Sequence, residues 1–432
     1  MRRALAAVCA ALLWTPVGAS AEVAETVGGV DVDSAGAESG ADAEFPIQIG
    51  GDFFTRFETR RNYASPGVTI SAEDYFRYRA KMILKTAHLE VAKGFTLQAV
   101  MAPQTGGFLG VGGDDLVDAV LGLHEGYVAL AAPGFRFDFG RFEMSYGDEL
   151  VIGTVAWHHL GRAFDGLRAH AEFGDKGPWL DVFVTMLIEG FTSTPQVGED
   201  FGAGDSYFLG AYAGLGPLLG EGFDLDLYLF ARLAPETTEA GATIKETTEM
   251  TFGARHKGLV ADKLLDYRVE AGVQVGRRGG VDALGFHGNA EIGLGFLENR
   301  AFRVAVEGLF ASGDDGGTAD KDEGWFQLFP TAHKWLGYSD FIGPRTNIAG
   351  AVLHVAYAPI PVLKIMLDGH MFFRPEKGKT EDGYQGTEID LGILWKPGKI
   401  FGLRCGYALF LPDSDVSDDL LHFAELELRA TF

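Results

Sequence analysis

Phe76 to Lys85 reads FRYRAKMILK. In an extended chain, Phe76, Tyr78, Ala80, Met82 and Leu84 share one side, and Arg77, Arg79, Lys81, Ile83 and Lys85 share the other, because strand side chains alternate. One wall is apolar and the other carries cations. A strand in water leaves the first wall without a partner, and a strand in a dry core leaves the second without solvent. A transmembrane β-barrel satisfies both, with lipid outside and a wet lumen inside. The segment points to a pore, and its cations point to anions as the cargo.

The rest of the chain fits that reading. Residues 1–21 form a secretory signal peptide: Arg2 and Arg3, an apolar run from Ala4 to Trp14, and the small residues Ala19-Ser20-Ala21 before the cut. Val8 before Cys9 argues against a lipoprotein signal. The mature chain then keeps one cysteine, Cys405, so it has no intramolecular disulfide and no cysteine metal framework. Residues 22–44 hold seven acids and no base among Ala, Gly and Ser, the composition of a disordered acidic leader. Residues 45–432 are expected to form the barrel. No later run is apolar and long enough for a transmembrane helix. The net charge of −24 disfavours nucleic acid as a partner.

Period-2 segments continue to the end of the chain, about eighteen in all, an even count that suits an all-β, antiparallel outer-membrane barrel. Short links such as Lys93-Gly94, Pro133-Gly134 and Lys396 to Lys399 alternate with long ones such as Met144 to Phe164 and Ser312 to Asn347. Periplasmic turns and extracellular loops alternate in this way, which puts both termini on the periplasmic side. His256 to Asp266 looks long for a turn. The last segment, Leu421 to Phe432, alternates His422, Ala424, Leu426, Leu428, Ala430 and Phe432 against Phe423, Glu425, Glu427, Arg429 and Thr431. An amphipathic last strand with a terminal Phe resembles the assembly signal of outer-membrane barrels. The competing architecture is a secreted β-sandwich or a periplasmic solenoid.

With every strand phased to put apolar residues on lipid, the lumen collects Arg56, Arg60, Arg77, Arg79, Lys81, Lys85, Arg136, Arg168 and Arg404 as candidate contacts for an anion. It also collects acids, among them Glu58, Asp138, Asp181, Asp226, Glu388, Asp390, Glu425 and Glu427. The lumen is mixed, with cations concentrated on the first two strands. A basic track held in place by acids is one reading. The plainer one is that the charges pair and fill a wet interior.

Two stretches add a resemblance. Gly140 to Arg168 reads GRFEMSYGDELVIGTVAWHHLGRAFDGLR, and Trp325 to Ile348 reads WFQLFPTAHKWLGYSDFIGPRTNI. Together they resemble the alginate-export family of outer-membrane porins. Its G-R-x-E-x-x-Y-G-D segment matches at Gly140, Arg141, Glu143, Tyr146, Gly147 and Asp148. A tryptophan follows at Trp157, and R-x-F-D-G-x-R matches at Arg162, Phe164, Asp165, Gly166 and Arg168. Its Q-L-F-P-T-x-H-K loop matches at Gln327, Leu328, Phe329, Pro330, Thr331, His333 and Lys334. Val155-Ala156 and Phe142 depart from the family pattern. The resemblance implies an eighteen-stranded barrel with a cationic constriction that passes a polyuronate one chain at a time.

On the residues themselves, a bulge at Gly140 would swing Arg141 inward, out of phase with Arg136. Asp148, Arg162 and Asp165 fall in or beside a long loop above the pore, where forked arginine donors suit sugar carboxylates. The alternative is a salt-bridge belt of Arg141, Glu143, Asp165 and Arg168 that stiffens the loop.

Other chemistry recedes. His158 and His159 are adjacent and point apart on an extended chain, which suits no single metal ion. The acidic loop at 312–324 lacks the glycine and bidentate glutamate of an EF-hand and reads as solvated. No nucleophile motif stands out, which leaves a barrel hydrolase as the remaining enzymatic alternative. The expectation is a channel of the Gram-negative outer membrane, without cofactor or metal. It would contact lipid and pass anionic polysaccharide or, alternatively, small anionic solutes. Periplasmic export components are a further candidate partner.

Overall fold

A computed structural model describes residues 47–65, 68–109, 120–188, 205–239, 242–377 and 383–432. The expected signal peptide and acidic leader lie outside the described residues. Among these, eighteen strands form one closed antiparallel barrel. They are β1 Ile47–Ser65, β2 Val68–Thr86, β3 Phe95–Leu109, β4 Val120–Ala132, β5 Phe135–Phe142 and β6 Phe164–Glu172. Then come β7 Trp179–Ile188, β8 Ser206–Gly214, β9 Phe223–Ala234, β10 Thr247–Val260, β11 Leu265–Arg278 and β12 Val281–Phe296. The set ends with β13 Phe302–Ala311, β14 Ile348–Ile360, β15 Leu363–Phe373, β16 Tyr384–Trp395, β17 Phe401–Pro412 and β18 Leu421–Thr431. Each strand pairs with the next in sequence. The last closes on the first in the register Asp52↔Thr431 to Arg61↔His422.

The alternation read from FRYRAKMILK is the alternation of the wall. Phe76 and Met82 are exposed on the outside, and Arg77, Arg79 and Lys81 are buried inside. Around the barrel the outer face stays apolar, with Phe139, Val182, Val269, Val306, Leu353 and Leu428 all exposed. Closure leaves no unpaired edge, so the backbone polar groups of every strand are satisfied within the wall.

Links at one end of the barrel are short, and most at the other end are long. The link that looks long from sequence, His256 to Asp266, is a four-residue turn at 261–264, because β10 and β11 run further than their apolar residues indicate. The exceptions lie at the long-loop end, where β1–β2 and β11–β12 are joined almost directly.

The expected bulge at Gly140 is absent. Register runs unbroken through Tyr127↔Gly140 and Gly126↔Arg141 on one side and Arg141↔Asp165 on the other. Gly140 instead allows close approach: its φ is +131°, and a Cβ there would lie 2.3 Å from the Gly126 carbonyl oxygen. The irregularity lies one strand pair away, where Ala102↔Glu125 is followed by Pro103↔Leu123 and His124 is the extra residue. Pro103 cannot donate to the ladder, which favours a break there.

A wall of eighteen strands encloses more space than its own side chains fill. Two long loops, 143–163 and 312–347, fold into that space. Apolar residues of the loops (Met144, Leu150, Ile152, Trp325, Leu328, Trp335) pack on Phe142, Phe164, Phe183, Phe208 and Phe230 of the wall, so the hydrophobic core lies inside the barrel.

Candidate functional site

The first loop is built to be held. Gly147 takes φ +57°, and a Cβ there would lie 2.8 Å from the Arg255 side chain. That turn places Asp148 on Arg255 of β10 at 2.6 Å. Burial opposes ionising Asp148, but Arg255 and Arg268 outweigh it and hold its pKa below the usual range. At the loop's root, Glu143 accepts from Lys81 at 3.1 Å and meets His124 Nε2 at 2.6 Å, while its N–H donates to Glu125 at 3.3 Å. The bulge in β4 delivers both of those last partners to the interior.

Further along, the loop crosses four neighbouring strands, and each supplies a donor to its backbone. Arg429 of β18 donates to Ala156 O at 3.0 Å, Arg56 of β1 to Trp157 O at 3.0 Å, Arg79 of β2 to His158 O at 3.1 Å and Gln104 of β3 to Leu160 O at 2.7 Å. The basic ladder thus seats a loop. Its cations also have carboxylates: Arg77 lies 3.2 Å from Glu58, Arg79 donates to Asp52 at 2.5 Å, and Lys81 binds Glu143. The Arg77, Arg79 and Lys81 side chains are only 6%, 2% and 8% exposed. The expectation of an open cationic face is corrected here: the face is inward, but the loop covers it.

The second loop zips onto the first. Ile152 and Phe329 form a parallel bridge, with Gly153 N–H donating to Phe329 O at 2.8 Å and Phe329 N–H to Val151 O at 2.9 Å. Arg162 stands between the loops and donates to the carbonyls of Phe329, Pro330 and Gly153. Burial pushes its pKa down to about 10. Arg162 therefore binds backbone and does not line an open pore. The His333 ring stacks on Trp157 at 3.8 Å and meets Asp340 at 3.0 Å. Carboxylates of β16 hold the far side, Asp390 accepting from Tyr338 N–H at 3.1 Å and Glu388 from Ser339 N–H at 2.8 Å.

Arg141 and Asp165 are the second correction. With no bulge, Arg141 keeps phase with the exposed Phe139 and faces outward. It pairs with Asp165 at 3.0 Å, the two side chains being 43% and 56% exposed. The alternative, a four-residue salt-bridge belt, does not form: beyond the Arg141–Asp165 pair, Arg168 reaches only the Glu143 backbone carbonyl, at 3.4 Å. Glu143 turns to Lys81 and His124, and Arg168 turns to Asp138.

The other predicted residues spread over the inner wall. Arg60 approaches Glu58 at 3.6 Å, Arg404 binds Glu425 at 2.7 Å, and Lys85 is half-buried on the ladder's face. Arg136 and Arg168 share Asp138 at 2.8 and 2.7 Å and keep 25% and 20% of their side chains exposed. Gln327 accepts from Arg345 N–H at 2.6 Å, Phe329 and Pro330 supply carbonyls, His333 is buried, and Lys334 is exposed. Gln104, Ser339 and Arg345 are positioning residues that the sequence reading passed over. Of these, only Ser339 and Arg345 lie inside a quoted motif. In the acidic loop, Asp322 is taken by Arg278 at 2.8 Å, while Asp314, Asp315 and Glu323 cluster at the surface.

The sequence profile of the alginate export family matches residues 48–410. The fold is similar to solved outer-membrane porins. OpdO of Pseudomonas aeruginosa is 16% identical with a TM-score of 0.62, over 89% of this chain and 97% of that one. OprD of the same organism is 11% identical with a TM-score of 0.60, over 90% and 93%. A BenF-like porin of Pseudomonas fluorescens Pf-5 is 12% identical with a TM-score of 0.63, over 89% and 98%. A comparison with curated protein sequences gives no match.

Proposed function

This chain belongs to the alginate export family of outer-membrane channels, and we propose that its cargo is an anionic polysaccharide of the polyuronate kind, crossing by passive diffusion. Family and fold are those of transport porins, not of enzymes. The observation that carries the cargo reading is the set of partly exposed guanidinium groups held by carboxylates. Arg136 and Arg168 flank Asp138, and Arg303 is fixed by Asp266 and Glu291. A polyuronate offers one carboxylate per sugar, and such preoriented forks match that geometry. In this reading the short turns and both termini face the periplasm. The conducting state requires the first loop to leave the wall, which uncovers Arg56, Arg77, Arg79 and Lys81 as further contacts.

A second reading, a porin for small anionic solutes, is favoured by the aromatic core that the two loops build inside the barrel. Conductance in planar bilayers with titrated oligouronates separates the two. Concentration-dependent interruptions of current support the polymer. Anion selectivity without interruption at any oligomer length supports the small-solute porin and removes the polymer reading.

A further inference from the structure

His158 and His159 lie side by side on the first loop, rings 4.1 Å apart. His159 is buried and meets the Phe108 ring at 4.8 Å. The groups facing this pair are Arg56 and Glu58 of β1, Arg77 and Arg79 of β2, and Gln104 and Phe108 of β3. Glu58 is already engaged by Arg56 at 2.8 Å, Arg77 at 3.2 Å and the Tyr75 hydroxyl at 2.6 Å. Glu425 and Glu427 of β18 contact Arg56 at 3.4 and 3.0 Å. A proton added to either ring therefore arrives beside guanidinium groups, where the carboxylates are committed.

Hydrogen bonding fixes the neutral form of His158. The Leu160 N–H donates to His158 Nδ1 at 3.2 Å, so Nδ1 is an acceptor and the ring proton sits on Nε2. Protonating Nδ1 destroys that bond in the very turn whose carbonyls the wall holds. His159 Nδ1 is buried and makes no hydrogen bond.

We propose that His158 and His159 are an acid-released seat: neutral, they let loop 143–163 rest on the wall arginines, and charged, they drive it off and open the lumen. The proposal rests on the channel reading but not on the identity of the cargo.

The direction follows from linkage. In the seated loop, burial first and then the adjacent arginines hold His158 at about 4. Burial first, then His158 and the same arginines, holds His159 at about 3. A released loop returns both to about 6.5. The seated state is fully favoured above about pH 6.5 and loses that preference as pH falls toward about 4. At pH 5.5 each independently titrating histidine shifts the balance toward release by about tenfold.

The test is open probability of the full-length barrel in planar bilayers, with KCl as the only electrolyte, from pH 7.5 to 5. The wild type is expected to rise about tenfold or more, and a response that ignores pH overturns the proposal. The double substitution His158→Gln, His159→Gln is expected to be flat, and an acid response that survives in it overturns the proposal. His158→Lys carries one permanent charge and is expected to raise open probability at pH 7.5 about tenfold or more over the wild type at that pH. Heat-modifiable migration identifies folded protein before recording. If the double variant does not assemble, a closed His158→Lys channel at pH 7.5 is the overturning result. Failure of oligouronates to interrupt current removes the cargo reading and leaves this pH response standing.

Discussion

Arg56 donates to the Trp157 carbonyl at 3.0 Å, and its guanidinium lies 4.1 Å over the Trp157 ring. A cation of the wall thus holds both the backbone and the side chain of the loop that fills the lumen. The loop can be displaced from the wall without breaking any pairing between barrel strands, because the wall holds it through side chains and its backbone bonds run to the second loop.

Arg79→Gln is expected to loosen that loop. The substitution removes a charged hydrogen bond to His158 O, a contact of about 1.5–3 kcal/mol. Open probability at neutral pH is expected to rise roughly ten- to a hundredfold in bilayer recordings. An unchanged trace would mean that the carbonyl contact does not hold the loop.

Arg162→Lys is expected to uncouple the two loops. A compact ammonium cannot span the carbonyls of Gly153, Phe329 and Pro330 as the planar fork does. Recordings should show two separate sublevels where the wild type has one closure. Proteolysis within 312–347 on membranes should quicken several-fold while the barrel stays intact. A single closure in the variant would show that backbone pairing alone joins the loops.

Arg141→Ala is expected to leave conductance and ion selectivity as they are. The residue faces outward, and its exposed pair with Asp165 is a surface ion pair of about 0–1 kcal/mol, screened by solvent. Thermal stability should change little. A drop in anion selectivity would restore the inward orientation.

Deleting Phe432 is expected to lower the yield of heat-modifiable barrel several-fold with export unaffected. Phe432 exchanges backbone hydrogen bonds with Gly51 at 2.9 and 3.1 Å and stacks on Phe53 at 5.9 Å. Full assembly of the shortened chain would make this residue a mere strand end.

The wall was legible because its two faces meet different solvents, which forces a period of two on the sequence. FRYRAKMILK carries that period over ten residues, and the strand count follows from its repetition. Strand ends were less legible: β10 runs to Val260 through His256 and Lys257, polar residues that read as turn. The loops were legible only as motifs. Arg56 and Trp157 are 101 positions apart, and a backbone carbonyl that accepts from an arginine has no signature in the sequence. For that reason Arg162 and the ladder looked like ligands for a substrate carboxylate when their partners belong to the chain itself. Arg141 reads as inward only with an irregularity at Gly140, whereas the extra residue is His124.

The seam between β1 and β18 also bears on how the barrel is made. Arg56, fully buried, contacts Glu58 of its own strand at 2.8 Å and Glu427 and Glu425 of the last strand at 3.0 and 3.4 Å. Sliding β18 by one residue would turn both glutamates toward lipid and leave Arg56 with Glu58 alone. A carboxylate facing hydrocarbon costs on the order of 2–3 kcal/mol. Mis-registered closure is therefore disfavoured on both faces of the wall at once. The Trp157 Nε1–H also donates to Glu425 of β18 at 3.3 Å, so an incorrectly closed barrel also loses one of the contacts that seat its stopper.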